Sequence, residues 1–282
     1  MRLRRALSTS AAATLAALLG ACSLDHKFIF PGAATQGQPS AVVTPRADYQ
    51  LLTLPLADGT QVAAQFGTAL DASGHPAANA SGRPTVLFFY GNGSCLAYSA
   101  LQFDRFRRLG ANVIIPDFPG YGMSTGQPSE QGCYAAAEAA YAYLLSRNDI
   151  DPARIVAAGW SMGAAVAIDL ASRHRVSGLI TVSAFTSMPA VAHTVAPWAP
   201  TSLLLRSRFD NLSKLPRVTC PVFLAHGTID SLVPFAMNEA LAQVANTPVT
   251  RFPIAGGNHN DVFDVGGKAL WQAIGKFLAD AK

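Results

Sequence analysis

The sequence predicts an α/β fold: a mostly parallel central sheet with helices on both faces and a small cap. Three observations carry this. From residue 49 onward, short apolar runs alternate with longer helical patterns, which implies parallel strands joined by right-handed crossovers. Several runs, such as TVLFFY at 85–90, are apolar without alternation, as strands covered on both faces are. A Gly-x-Ser-x-Gly pentapeptide stands where one such run passes into a helical pattern. Composition agrees. The chain has 282 residues, 50% hydrophobic and 13% charged, which excludes intrinsic disorder. A single long uncharged apolar stretch excludes a polytopic membrane protein.

The elements follow in order. Runs 49–56 and 61–67 form an antiparallel hairpin around Asp58-Gly59, a strong turn dipeptide. A polar stretch, 71–84, leads to the strand at 85–90 and a helix over 96–109. A strand at 112–117 precedes a long helix over 129–147. Strand 154–159 runs into helix 162–174, then strand 177–185. A less regular stretch, 186–219, rich in Pro and Leu, either forms a small cap over an acyl pocket or covers a sheet edge. Strand 220–227, helix 235–245, strand 247–254 and a helix over 266–281 complete the domain, placed at 49–282.

The pentapeptide GWSMG at 159–163 offers Ser161 as a nucleophile. Its spacing has a steric cause: the serine must sit in a sharp turn, and Gly159 and Gly163 lack the β-carbons that would collide there. The helix that follows turns its N–H groups toward developing negative charge. In isolation the same pattern also fits a helix N-cap serine. Serine needs a base. Of the six histidines, His259 lies in a Gly/Asn-rich loop after the last strand, from which it can hang over the sheet edge that presents Ser161. Asp230, shortly after the preceding strand, is the expected orienter of the imidazole, with a helix-capping turn as its alternative role. Asp261 and Asp264 are less natural orienters. Gly91 and Gly93 in YGNGS let backbone approach a ligand closely. The N–H groups of Asn92 and Met162 are the expected oxyanion donors.

The N-terminus has the parts of an export signal: Arg2, Arg4 and Arg5, an Ala/Leu core around 11–19, then small residues before Cys22. That core is too short to span a bilayer. Residues 25–48 read as a tether, giving a signal at 1–21 and a flexible segment at 22–48. Three of the 21 positive residues lie in the signal, which leaves 18 Lys+Arg against 17 Asp+Glu. No basic stripe survives to suggest a nucleic-acid partner. Cys220 opens a buried strand and is expected as a free thiol. Cys95 and Cys133 fall on the expected site side, and a bridge between them stays open. No Cys/His spacing matches a zinc site, so no metal is expected.

Together, YGNG (90–93), DFPGYGMSTG (117–126), GWSMG (159–163), HGTIDSLVP (226–234) and GGNHND (256–261) resemble the α/β-hydrolase superfamily, in its short-capped serine hydrolases. Tyr90 replaces the usual histidine of their HGN loop, and Pro119 the usual arginine of DxRGYG. The resemblance implies an α/β-hydrolase fold and a Ser161–Asp230–His259 triad. It implies hydrolysis of carboxylic esters or thioesters through an acyl-serine, without a cofactor. Asp117 and Tyr121 are then structural, and Trp160 packs beside the nucleophile. The residues LGAC at 19–22 resemble a bacterial lipobox, which implies lipidation of Cys22. The protein is thus expected to be an exported, membrane-anchored envelope lipoprotein, at the outer membrane in a Gram-negative host. Its partners would be a small acyl-ester or lipid substrate and the membrane. The alternatives are a peptidase of the same fold and a non-catalytic envelope binding lipoprotein.

Overall fold

Uninterrupted apolar runs can be buried only in the middle of a layered sheet, and that is where they lie in the computed structural model, which describes residues 29–281. The eight strands are β1 (Gln50–Pro55), β2 (Gln61–Gly67), β3 (Thr85–Phe89), β4 (Asn112–Pro116), β5 (Ile155–Trp160), β6 (Gly178–Val182), β7 (Val222–Gly227) and β8 (Val249–Ile254). They form one sheet in the order β1-β2-β4-β3-β5-β6-β7-β8. β1 and β2 pair antiparallel, as do β2 and β4, and every later pairing is parallel. β3, β4, β6 and β7 are buried along their whole length. The sheet order puts β5, the strand that ends at the nucleophile, at the centre.

Helices cover both faces. On one lie α1 (Ala100–Arg108) and α8 (Val262–Asp280), joined where Phe106 meets Trp271 edge-on at 5.3 Å. On the other, α2 (Glu130–Leu145) packs on α3 (Met162–Arg173). Ser129 caps the start of α2 by accepting the Gly132 N–H, at the position where the sequence predicts the helix to begin. The stretch between β6 and β7 holds three short helices: α4 (Met188–Val195), α5 (Thr201–Leu204) and α6 (Asn211–Lys214). The helix α7 (Phe235–Val244) links β7 to β8. Cys95, Cys133 and Cys220 are free and buried, so Cys95 and Cys133 form no bridge. Burial pushes the Cys220 thiol up to about 12.

One expectation needs correcting. The segment expected as a flexible tether over 22–48 is, in its described part, packed on the domain. Ile29, Phe30, Thr35 and Ala41 are buried, and Phe30 faces the ring of Phe209 at 6.3 Å. Gly32 donates its N–H to the Asn92 carbonyl, Gly37 to that of Gly122, and the Thr35 hydroxyl accepts the Gly122 N–H. The Pro/Gly/Ala composition hides this, because the apolar partners of Ile29 and Phe30 lie far away in sequence. The signal at 1–21, Cys22 and His26 fall outside the described residues.

Candidate active site

Parallel strands deliver their following loops to one edge of the sheet. There the turn after β5 holds Ser161 at φ +55° and ψ −118°, a conformation rare for a residue with a β-carbon. A β-carbon at Gly159 would lie 2.1 Å from the Gly163 carbonyl oxygen, and one at Gly163 2.1 Å from that of Phe89. The two glycines therefore let strand and helix close around the serine. The loops after β7 and β8 are likewise pressed together: a β-carbon at Gly227 would lie 2.3 Å from the Gly257 carbonyl oxygen.

This brings the three predicted side chains into one chain of hydrogen bonds. His259 Nε2 is 2.9 Å from Ser161 Oγ, and its Nδ1 is 2.8 Å from Asp230 Oδ2. All three residues are buried. A carboxylate accepts only, so Nδ1 carries the proton and Nε2 faces the serine hydroxyl as an acceptor. Burial opposes the charge on Asp230. Hydrogen bonds from His226, His259 and the Val233 N–H outweigh it and hold the carboxyl well below the usual carboxylate range. Asp230 also accepts the Leu232 N–H. Asp261 instead caps its own loop by accepting the Asn258 N–H, and Asp264 is exposed on α8.

Two residues that sequence reasoning passed over support the site. His226 is fully buried, with Nε2 2.8 Å from the Val233 carbonyl and 3.3 Å from Asp230 Oδ2. The carbonyl fixes its proton on Nε2, so His226 is a second donor to the orienting carboxylate. Asn258 Oδ1 accepts the N–H groups of both Ser231 and His259, tying the two loops together. The signal for His226 was its place in HGTID, four residues before Asp230.

The loop that carries Asn92 is held from beneath. Asn92 accepts hydrogen bonds at its carbonyl from Gly32 N–H and the Tyr121 hydroxyl, and its side-chain amide donates to the Ile29 carbonyl. Met162 is the first residue of α3, so its N–H has no partner within the helix. Asp117 is buried and accepts the Leu96 and Met123 N–H groups and the Tyr90 hydroxyl. Burial dominates and raises its carboxyl to about 6, against the pull of those three donors. Trp160 packs beside His259, with ring centroids 5.9 Å apart. Among the described residues, no group of three or more His, Cys, Asp or Glu could hold a metal ion.

A deep serine elbow, a histidine from the last loop and an acid after the penultimate strand, on this sheet order, define the class. The sequence model of the alpha/beta hydrolase fold matches residues 84–209, and the chain has the α/β-hydrolase fold. It is 34% identical over 242 residues to an uncharacterized protein of Mycobacterium tuberculosis, covering 86% of this chain and 85% of that one. It is also 34% identical over 179 residues to the human alpha/beta hydrolase domain-containing protein 17B, covering 63% of this chain and 61% of that protein. Among solved structures, an esterase of Pyrococcus furiosus superposes with a TM-score of 0.68 at 20% identity, over 85% of this chain and 97% of that one.

Proposed function

We propose that the protein is a membrane-anchored serine hydrolase that cleaves carboxylic esters or thioesters through an acyl-serine. The observation that carries this reading is the unbroken hydrogen-bond chain from Ser161 through His259 to Asp230. Ser161 Oγ attacks the acyl carbonyl while His259 Nε2 takes the hydroxyl proton. The oxyanion that forms is received by the N–H groups of Asn92 and Met162, each contributing roughly 3 kcal/mol to lowering the barrier. Collapse breaks the ester or thioester bond, and His259 returns its proton to the departing alcohol or thiol. A water molecule then attacks the acyl-serine by the same proton route and frees the acid. Asp230 stays ionised throughout and stabilises the imidazolium. Cys22, outside the described residues, is the lipid attachment point in this reading, and the substrate is a small acyl ester or lipid.

A fluorophosphonate probe tests the chemistry. Labelling of the folded wild type, lost in Ser161→Ala, is the expected result, together with a fall in p-nitrophenyl ester turnover of about 10³-fold or more. Absence of labelling, or equal turnover in the two proteins, would leave a binding protein on a hydrolase fold.

A further inference from the structure

Large apolar side chains left exposed in one region mark an interaction surface, and here they gather around the mouth of the site. Between β6 and β7, Trp198 is 86% exposed, Leu203 84% and Val195 69%. Beside them, Ile229 (61% exposed) and Leu232 flank Asp230 on the loop after β7. The two groups adjoin, since the Thr194 hydroxyl lies 3.3 Å from the Leu232 carbonyl. From residue 187 to residue 205 the chain contains no Lys, Arg, Asp or Glu, although much of it is exposed. The exposed Arg206 and Arg208 follow directly.

The N-terminal end of the described chain leaves the domain near this rim. Ile29 lies against the loop that carries Asn92, its carbonyl 3.3 Å from Asn92 Nδ2. The chain therefore leaves the domain at the same edge that carries the site. Residues 22–28 span at most about 25 Å when fully extended. An anchor at Cys22 keeps this edge, rather than the opposite one, close to lipid. The chemistry of the rim suits that neighbour: an exposed tryptophan with aliphatic side chains beside it and no Lys, Arg, Asp or Glu from 187 to 205.

We infer that this rim is a membrane-docking surface. Val195, Trp198 and Leu203, with Ile229 and Leu232 adjoining, seat in the headgroup region of a phospholipid bilayer. Ser161 then receives acyl groups from lipid-borne esters in the membrane that holds the N-terminus. The inference rests on the hydrolase reading for its substrate and on the Cys22 anchor for its orientation.

The protein's three tryptophans permit a direct test, because Trp271 is buried, Trp160 half-buried and Trp198 almost free of cover. The full chain is placed in phosphatidylcholine vesicles containing phosphatidylglycerol, with and without lipids brominated at a shallow acyl position. A blue-shifted, bromine-quenched emission component that Trp198→Ser lacks is expected. Equal quenching in the two proteins overturns the docking. So does protection of Trp198 from acrylamide without bromine quenching, whether a second copy or residues 1–28 supply the cover; sedimentation tells these apart. A second arm compares a vesicle-borne ester with a soluble p-nitrophenyl ester. Val195→Ser/Trp198→Ser/Leu203→Ser should lose at least tenfold on the first and keep its rate on the second, which also reports that it folds. Equal rates on the vesicle ester overturn the assigned substrate. If the wild type cleaves neither ester and takes no fluorophosphonate label, the hydrolase reading fails, while the quenching result still decides the docking.

Discussion

Tyr90 occupies the position where the resembled hydrolases carry histidine, and its phenol joins two loops. The hydroxyl donates to Asp117 Oδ1 at 2.8 Å and accepts the Phe118 N–H at 2.9 Å. Tyr90→Phe keeps the ring packing but leaves that buried N–H without an acceptor and Asp117 short of a donor. A loss of about 1–3 kcal/mol is expected in urea unfolding, and an unchanged midpoint would show that the bridge carries no stability. In the proposed mechanism His226 acts through Asp230, to which it donates. Removing its proton with His226→Phe leaves Asp230 a stronger acceptor toward His259. The acidic limb of the kcat/KM profile should therefore move to higher pH. A purely structural histidine would lower the rate without moving that limb.

At the scale of elements, the N-terminal segment meets the loop of Asn92 through hydrogen bonds at Ile29 and Gly32, and at Gly32 the approach is tightest. A β-carbon at Gly32 would lie 2.1 Å from the Tyr121 ring and 2.6 Å from the Asn92 carbonyl oxygen. Gly32→Ala must displace either the segment or the loop, and a displaced donor costs about 10- to 100-fold in kcat. The expected result is a fall in kcat with the melting temperature little changed; wild-type kcat would detach the segment from catalysis. This coupling was not legible in the sequence, and the reason is physical. Strands β3 to β7 and the elbow declare themselves through local pattern, since near-continuous burial and a turn demanding glycine are written in adjacent residues. Ser161 and Asp230 were readable because each follows such a strand at the same sheet edge, and His259 because it stands in a Gly/Asn-rich loop after the last strand. The packing of Ile29 and Phe30 depends instead on surfaces as distant as Phe209, and no local period encodes that. The Tyr90–Asp117 bond, between side chains 27 positions apart, is hidden in the same way.

For the whole molecule, two buried carboxylates with opposite shifts shape stability against pH. Asp117 takes up its proton near pH 6 in the fold and near 3.8 when unfolded. Between those values the folded state binds more protons, so this group's contribution falls as pH rises from about 4 to about 6. The full loss is about 3 kcal/mol. Asp230 works the other way. Its folded carboxyl sits below the unfolded value of 3.8, so it stabilises the fold at higher pH, and that contribution is lost as pH falls through the acid range. Urea midpoints at pH 7, 5, 4 and 3 for the wild type, Asp117→Asn and Asp230→Asn separate the two effects. The advantage of the wild type over Asp117→Asn should grow from pH 7 to pH 4, because only the wild type gains there from protonating residue 117. Its advantage over Asp230→Asn should hold from pH 7 to about 4 and shrink at pH 3. Parallel profiles for the wild type and Asp117→Asn would mean that the donors from Leu96, Met123 and Tyr90 outweigh burial, and that Asp117 is a charged anchor of the Asn92 loop at every pH tested.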